Sequence, residues 1–365
     1  MNFSDRFDKI NIKSISLSVG MKNRFEKNKD KKQILSRISK MYQKLKQDDK
    51  KVDELYSAGG EWKRYIAERQ SFYDSLLEGD IEEAYKTLSN FWRNSLSPIV
   101  KEYAKYDQIV NNEIEFVDRF VSRVSKNYLI WRELYNQGVE KLRVPDIGNQ
   151  WGIEIDGELV VPKATRYHAH CQQIKNLTKD ISSPVVAEIG AGYCGLAYYL
   201  LKEIPGMVYI DFDLPETLVI GAYYIMSAFP NKEVLLYGEY DSLQDVDLND
   251  YDCLFLPNFE MPNFPNQTVD VFYNSFSLSE MPKPTSTEYI KCIEKICKLY
   301  FLHNNMDRKG VINRGFERTP ASEYRINNEA FKLIYKQFDL FHGHEGDYKE
   351  FLYRRISKGE TRGRL

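Results

Sequence analysis

From about residue 30 to 142, apolar positions recur every three or four residues. In "KKQILSRISKMYQKLKQ", Ile34, Ile38, Tyr42 and Leu45 share one face, the spacing of an amphipathic helix. "GDIEEAYKTLSNFWRNSL" repeats the pattern through Ala84, Leu88 and Phe91, with Asp80 placed to cap it. "NNEIEFVDRFVSRVSKNYLIWRELY" carries it through Phe116, Phe120, Val124 and Leu129. No strand alternation competes in this half. Pro145, Gly148 and Gly152 then break the pattern. "GIEIDGELVVP" predicts a hairpin that turns at Asp156-Gly157. Helical spacing returns from Lys163 to Leu177.

Beyond that point the elements alternate. Strand "VVAEIG" precedes helix "GLAYYLLKEI", and strand "MVYIDFD" precedes helix "PETLVIGAYYIMSAF". "EVLLYG", "DCLFLP" and "VDVFYNS" read as strands; helix "TSTEYIKCIEKICK" leads into strand "LYFLHNN". The end reads as helix "SEYRINNEAFKLIYKQ", then strands "FDLFHG" and "YKEFLYRRI" joined by "HEGD". Such alternation predicts an α/β fold, a parallel sheet covered by helices. The closing hairpin adds an antiparallel edge. Four segments follow: a loose basic lead-in (1–28), a helical cap (29–150), a linker with hairpin and helix (151–182), and the α/β domain (183–358).

Charge narrows the function. A net charge of -2 argues against a nucleic-acid binder. Residues 1–60 hold 15 Lys/Arg against 8 Asp/Glu, which fits a solvated arm. The five cysteines are odd in number and form no C-x-x-C, the pattern of reduced thiols in a cytoplasmic protein. The N-terminus has no apolar signal core, and no run reaches the ~18 apolar residues of a membrane span. Neither H-x-x-x-H nor H-E-x-x-H occurs among the five histidines, so no zinc site is expected.

The chemistry centres on "VVAEIGAGYCGLAYYLL". Gly190, Gly192 and Gly195, with Ala191 between the first two, form G-x-G-x-x-G between a strand and a helix. Glycine lets the backbone bend and approach a ligand, and the new helix offers unpaired N–H groups. NAD, FAD and S-adenosyl-L-methionine all suit such a turn. Glu188 ends the preceding strand; it would repel a pyrophosphate and attract the ammonium or sulfonium of a cationic ligand. Asp213 ends the next strand, followed by Leu214, where an acid binds ribose hydroxyls. Asp211 lies on the same strand face and competes for that role. Asn274, Ser275 and Ser277 end a further strand at the same sheet edge, and polar capping of the next turn is their alternative role. Glu280 and His303 follow two strands that should bracket a reacting group, and are the candidate general bases. The alternatives are a solvated loop acid and a structural histidine.

These segments resemble a known family. "AEIGAGYCGLAYYLL", "IDFDLPETL", "DVFYNSFSLSEMP" and "YFLHNN" are similar to class I S-adenosylmethionine-dependent methyltransferases and, more narrowly, to bacterial sugar O-methyltransferases. "LEGDIEEAYKTLSNFWRN" and "QWGIEIDGELVVPKATRYHAH" extend the likeness over roughly residues 75–355; the glycine motif and "DLPET" carry it. The resemblance implies a Rossmann-like sheet with a C-terminal antiparallel hairpin behind an N-terminal helical domain. It carries cofactor roles to Glu188, Gly190, Gly192, Gly195 and Asp213. It implies methyl transfer to a hydroxyl of a sugar or glycan precursor, as in polysaccharide biosynthesis. A non-sugar acceptor, a nicotinamide oxidoreductase and a non-catalytic scaffold are the competing readings. Homo-oligomerisation and assistance by Mg²⁺ stay open.

Overall fold

A computed structural model describes residues 14–26, 30–94, 96, 106–111, 113–313, 316–342 and 346–357. Its centre is an eight-stranded sheet: β1 (Val185–Ile189), β2 (Val208–Asp213), β3 (Val234–Leu236), β4 (Cys253–Pro257), β5 (Val269–Ser275), β6 (Cys297–Met306), β7 (Phe331–Phe338) and β8 (Tyr348–Arg355). The spatial order is β7-β8-β6-β5-β1-β2-β4-β3. Neighbours from β6 to β3 are parallel, whereas β8 runs antiparallel to both β6 and β7. β1, β2 and β4 are almost wholly buried, which is why they read as unbroken apolar runs.

Helices cover both faces. α1 (Lys31–Asp48), α2 (Gly60–Ala67), α3 (Gln70–Glu78), α4 (Ile81–Leu88) and α5 (Ile114–Tyr135) precede the sheet. α6 (Ala164–Leu177), α7 (Gly195–Glu203), α8 (Pro215–Ala228) and α9 (Lys283–Ile296) belong to the linker and the alternating region. Asp80 caps α4 by accepting the Glu83 N–H at 3.1 Å. The apolar stripe of α1 packs on α8. Ile34, Ile38 and Tyr42 therefore belong to one buried cluster with Leu218, Tyr224 and the sheet residues Val186 and Tyr209. A second cluster fills the opposite face, where Ile290 and Ile293 of α9 meet Ala187, Ile210 and Phe272.

Two expectations need correction. The helix predicted over residues 322–337 is replaced by β7. Its sequence, FKLIYKQF, lines the exposed sheet edge and buries only Phe331, so no clean alternation marks it as a strand. Accordingly β7 is the first strand of the hairpin, and "FDLFHG" contributes to it only Phe338, its last residue. The expected antiparallel hairpin does form the edge of the sheet, with β7 outermost and β8 between it and β6. Finally, residues 14–26 of the lead-in are docked rather than loose. Ile15 pairs with Ile155, adding a third strand to the predicted hairpin. The Arg24 N–H donates to Asn149 Oδ1 at 2.9 Å, and Glu26 accepts the Tyr223 hydroxyl. Residues 1–13 of the lead-in lie outside the described residues.

Candidate functional site

The cleft opens at the carboxyl ends of β1, β2, β4 and β5, the edge where parallel sheets bind ligands. Its volume is about 510 Å³, within the ~300–1,000 Å³ of small-molecule sites. The turn after β1 forms one wall. Gly190 and Gly192 have φ of +77° and +67°, angles that L side chains rarely adopt. A Cβ on Gly190 would lie 2.6 Å from Ser277 Oγ. Ala191 completes the wall between them.

Two acids flank this turn. Glu188 accepts the Tyr209 hydroxyl at 2.7 Å. Burial pushes its carboxyl up to about 7; the Tyr209 hydrogen bond pulls down, Asp213 raises it further, and Arg166 pulls down. Asp213 accepts the Gly192 N–H on Oδ2 at 3.1 Å and the Leu214 N–H on Oδ1 at 2.7 Å. Burial pushes Asp213 to about 7 as well, against those backbone bonds. Asp213 and Leu214 line the cleft, and Asp211 does not. Asp211 lies beneath the turn, where the Cys194 thiol donates to it at 3.5 Å.

Other predicted residues divide between wall and support. Ser275, Ser277 and Glu280 line the cleft. Asn274 sits below it, donating to Ile189 O at 2.9 Å and accepting from Asn305 at 2.8 Å. It braces the turn from beneath. Gly195 is likewise off the cleft. A Cβ there would meet the Tyr167 ring at 2.5 Å, so glycine permits close packing at the start of α7.

His303 is not brought to the cleft. It is wholly buried and stacks on Phe351 at 4.8 Å, with Phe301, Tyr353 and Tyr324 around it. Burial holds its imidazole down to about 3. A base held there has almost no driving force for taking a proton at neutral pH. β6 runs on to Met306 and pairs with β8, so His303 lies inside the sheet and not at its open end.

The cleft also holds residues that the sequence did not single out. Lys163, Arg166 and Tyr167 come from the start of α6, while the strap from Asp53 to Gly59 between α1 and α2, all but Tyr56, and Trp62 of α2 line it too. Asn258, just past β4, donates from Nδ2 to Tyr56 O at 2.7 Å and to the Tyr289 hydroxyl. A carbonyl demands a donor, so Oδ1 points the other way, and it is buried without a partner. The criterion that found Asp213, a polar residue at the carboxyl end of an apolar strand, would have found Asn258 too.

No cluster of His, Cys, Asp or Glu among the described residues is arranged for a metal ion. No described helix is long and apolar enough to cross a membrane. No protein-family model matches the chain, and no curated protein matches it. Similarity to solved structures is distant. A candidate sarcosine dimethylglycine methyltransferase from Galdieria sulphuraria aligns at 10% identity and TM-score 0.39, covering 52% of this chain and 86% of that one. The magnesium protoporphyrin IX methyltransferase of Synechocystis PCC 6803, solved with bound SAM, aligns at 10% identity and TM-score 0.37, over 53% and 81% of the two chains. A mitomycin 7-O-methyltransferase aligns at 14% identity and TM-score 0.34, over 73% and 68%.

Proposed function

We propose that this chain is an S-adenosylmethionine-dependent methyltransferase acting on a hydroxyl of a sugar or glycan precursor. The observation that carries the reading is the pair of acids, Glu188 and Asp213, on either side of a glycine turn. A pyrophosphate over this turn would face Glu188 and be repelled. A ligand with an ammonium, a sulfonium and a ribose suits the same wall. Fit is supported at two further points. The space at Gly190 would be filled by a Cβ, and the buried Oδ1 of Asn258 lacks a donor. An exocyclic adenine amine supplies one.

In this reading Glu188 holds the amino end, Asp213 the ribose and Asn258 the adenine edge. Ser275 and Ser277 bound the cleft beside the turn. The bound cofactor supplies an electrophilic methyl. The residues of this chain must align an acceptor oxygen behind that methyl and exclude water, and alignment can supply ~7–11 kcal/mol. Glu280 is the proposed acceptor of the hydroxyl proton. The helices over residues 29–150 serve as a cap, since their strap forms part of the wall. The sugar class comes from the sequence resemblance, and a non-sugar hydroxyl fits the same geometry.

Calorimetry with S-adenosylhomocysteine and NAD is the test. Micromolar-range binding of the former, with none of the latter, is the expected result; the reverse preference would overturn the reading in favour of an oxidoreductase.

A further inference from the structure

One residue anchors the strap between α1 and α2. From Asp53 to Gly59, only Tyr56 is buried. Asp53 opens a single tight turn there: its side chain accepts the Leu55 N–H and its carbonyl the Tyr56 N–H, both at 2.9 Å. The turn carries the Tyr56 ring against α9. The Tyr289 ring is 5.5 Å away between centroids, and the Tyr56 hydroxyl lies 3.7 Å from Cys292 Sγ. The carbonyl of the same residue accepts the Asn258 amide at 2.7 Å.

Asn258 stands where a purine would follow a ribose. β2 and β4 are parallel, with Asp213 opposite Pro257, so Asn258 is one residue past the neighbour of the proposed ribose acid. It is 2% exposed. The two ends of its amide are alike in shape and opposite in chemistry, since the nitrogen donates and the oxygen accepts. Its neighbours settle which end faces which way. The Tyr289 hydroxyl does not decide, because a hydroxyl can serve either end. The Tyr56 carbonyl only accepts. Turned over, Asn258 would set Oδ1 against that carbonyl and strand it without a donor, a costly state for a buried group. Oδ1 is therefore held as the outward acceptor, buried and with no partner among the described residues.

We infer that the strap sets the base preference of the cleft: by holding the Asn258 amide in this sense, the Tyr56 carbonyl admits a purine with an amine at position 6 and refuses one with a carbonyl there. A 6-oxo purine brings a second acceptor up to Oδ1. Meeting it requires the amide to turn, which breaks the strap's own bond. Tyr56 is thus a positioning residue that acts through Asn258. This inference rests on the reading of the cleft as an adenosine-ligand site, and the experiment separates the two. Calorimetry would measure adenosine, inosine and S-adenosylhomocysteine. The wild type should bind adenosine about ten-fold or more tightly than inosine, as expected when a buried hydrogen bond is exchanged for facing acceptors. Tyr56→Ala removes the anchor and should bring that ratio below about three, chiefly by weakening adenosine. Tyr56→Phe keeps both ring and carbonyl and should retain the ratio. A general loosening of the cleft would weaken both nucleosides alike and leave the ratio standing. Equal binding of the two nucleosides by the wild type overturns the inference, and so does a ratio that survives in Tyr56→Ala. Hydrogen exchange on the wild type tests the same point without a variant. Saturating adenosine should slow the amides of residues 53–59 about three-fold more than saturating inosine does; equal protection overturns the inference. If adenosine is preferred in this strap-dependent way while S-adenosylhomocysteine does not bind, the strap's role stands and the methyltransferase reading falls.

Discussion

Replacing Glu188 by Gln should make the ligand-free protein more stable and a worse binder. The carboxyl is buried beneath the glycine turn, and burial lifts it from 4.5 to about 7. A raised carboxyl favours the folded state while protonated. That advantage is intact below about 4.5 and is lost as pH rises towards about 7. Above pH 7 the full cost of the buried charge remains. At about 1.4 kcal/mol per pH unit, the interval corresponds to about 3 kcal/mol. Glutamine keeps an oxygen for the Tyr209 hydroxyl but carries no charge. For a chain of 365 residues, an unfolding entropy of ~2.1 cal/mol/K per residue converts ~3 kcal/mol into a rise of about 4 °C. Thermal melts at pH 8 and pH 5 measure it. The variant should melt higher at pH 8, and the difference should shrink below ~1 kcal/mol at pH 5. S-adenosylhomocysteine should bind at least about ten-fold more weakly, since a charge-assisted bond to its ammonium is lost. A variant that is less stable by the same amount at both pH values would refute the argument. It would mean that shape and hydrogen bonding, rather than charge, govern this position.

Gly190→Val should abolish S-adenosylhomocysteine binding, whereas Gly206→Ala should leave affinity intact in calorimetry. Both glycines have positive φ, so both substitutions should lower the melting temperature; only Gly190 faces the cleft, and its Cβ would meet Ser277 at 2.6 Å. His303→Leu should keep turnover within a few-fold of wild type, with an unchanged pH profile, because this imidazole is packed among rings away from the cleft. Glu280→Gln should slow turnover ~10²–10⁴-fold, as loss of a general base does, with cofactor affinity nearly intact; a loss under five-fold would remove Glu280 from that role.

The central sheet was legible because strands buried on both faces leave unbroken apolar runs, and an acid at the end of such a run stands out. Asp213 was readable for that reason. β7 was not, since an edge strand that buries only Phe331 and has an irregular register near Leu333 shows no clean period. His303 was placed on the correct strand, in register with Asn274, but that strand runs on to Met306. What the sequence could not show was β8 crossing that strand and sealing the position with Phe351. Arg166 and Lys163 fall in a stretch that the sequence marks only as helical. Only the tertiary arrangement, with Phe276 below and Asp339 behind, makes them part of a wall. The strap from Asp53 to Gly59 is 130 residues or more from the glycine turn, and no local pattern announces such a contact.

The packing of α1 on α8 bears on how the chain is made. Lys46 meets Glu216 at 3.0 Å across a separation of 170 residues. At ~5–20 residues per second on the ribosome, about 10–30 s pass before α8 exists. During that interval α3 and α4 can cover part of α1, but the face destined for α8 stays wet. The helices synthesised first are thus completed late, and the nascent cap carries an exposed apolar stripe through most of translation. Substitutions that enlarge this stripe should raise aggregation during synthesis more than they change the stability of the finished protein, and slower growth at low temperature should lessen the effect.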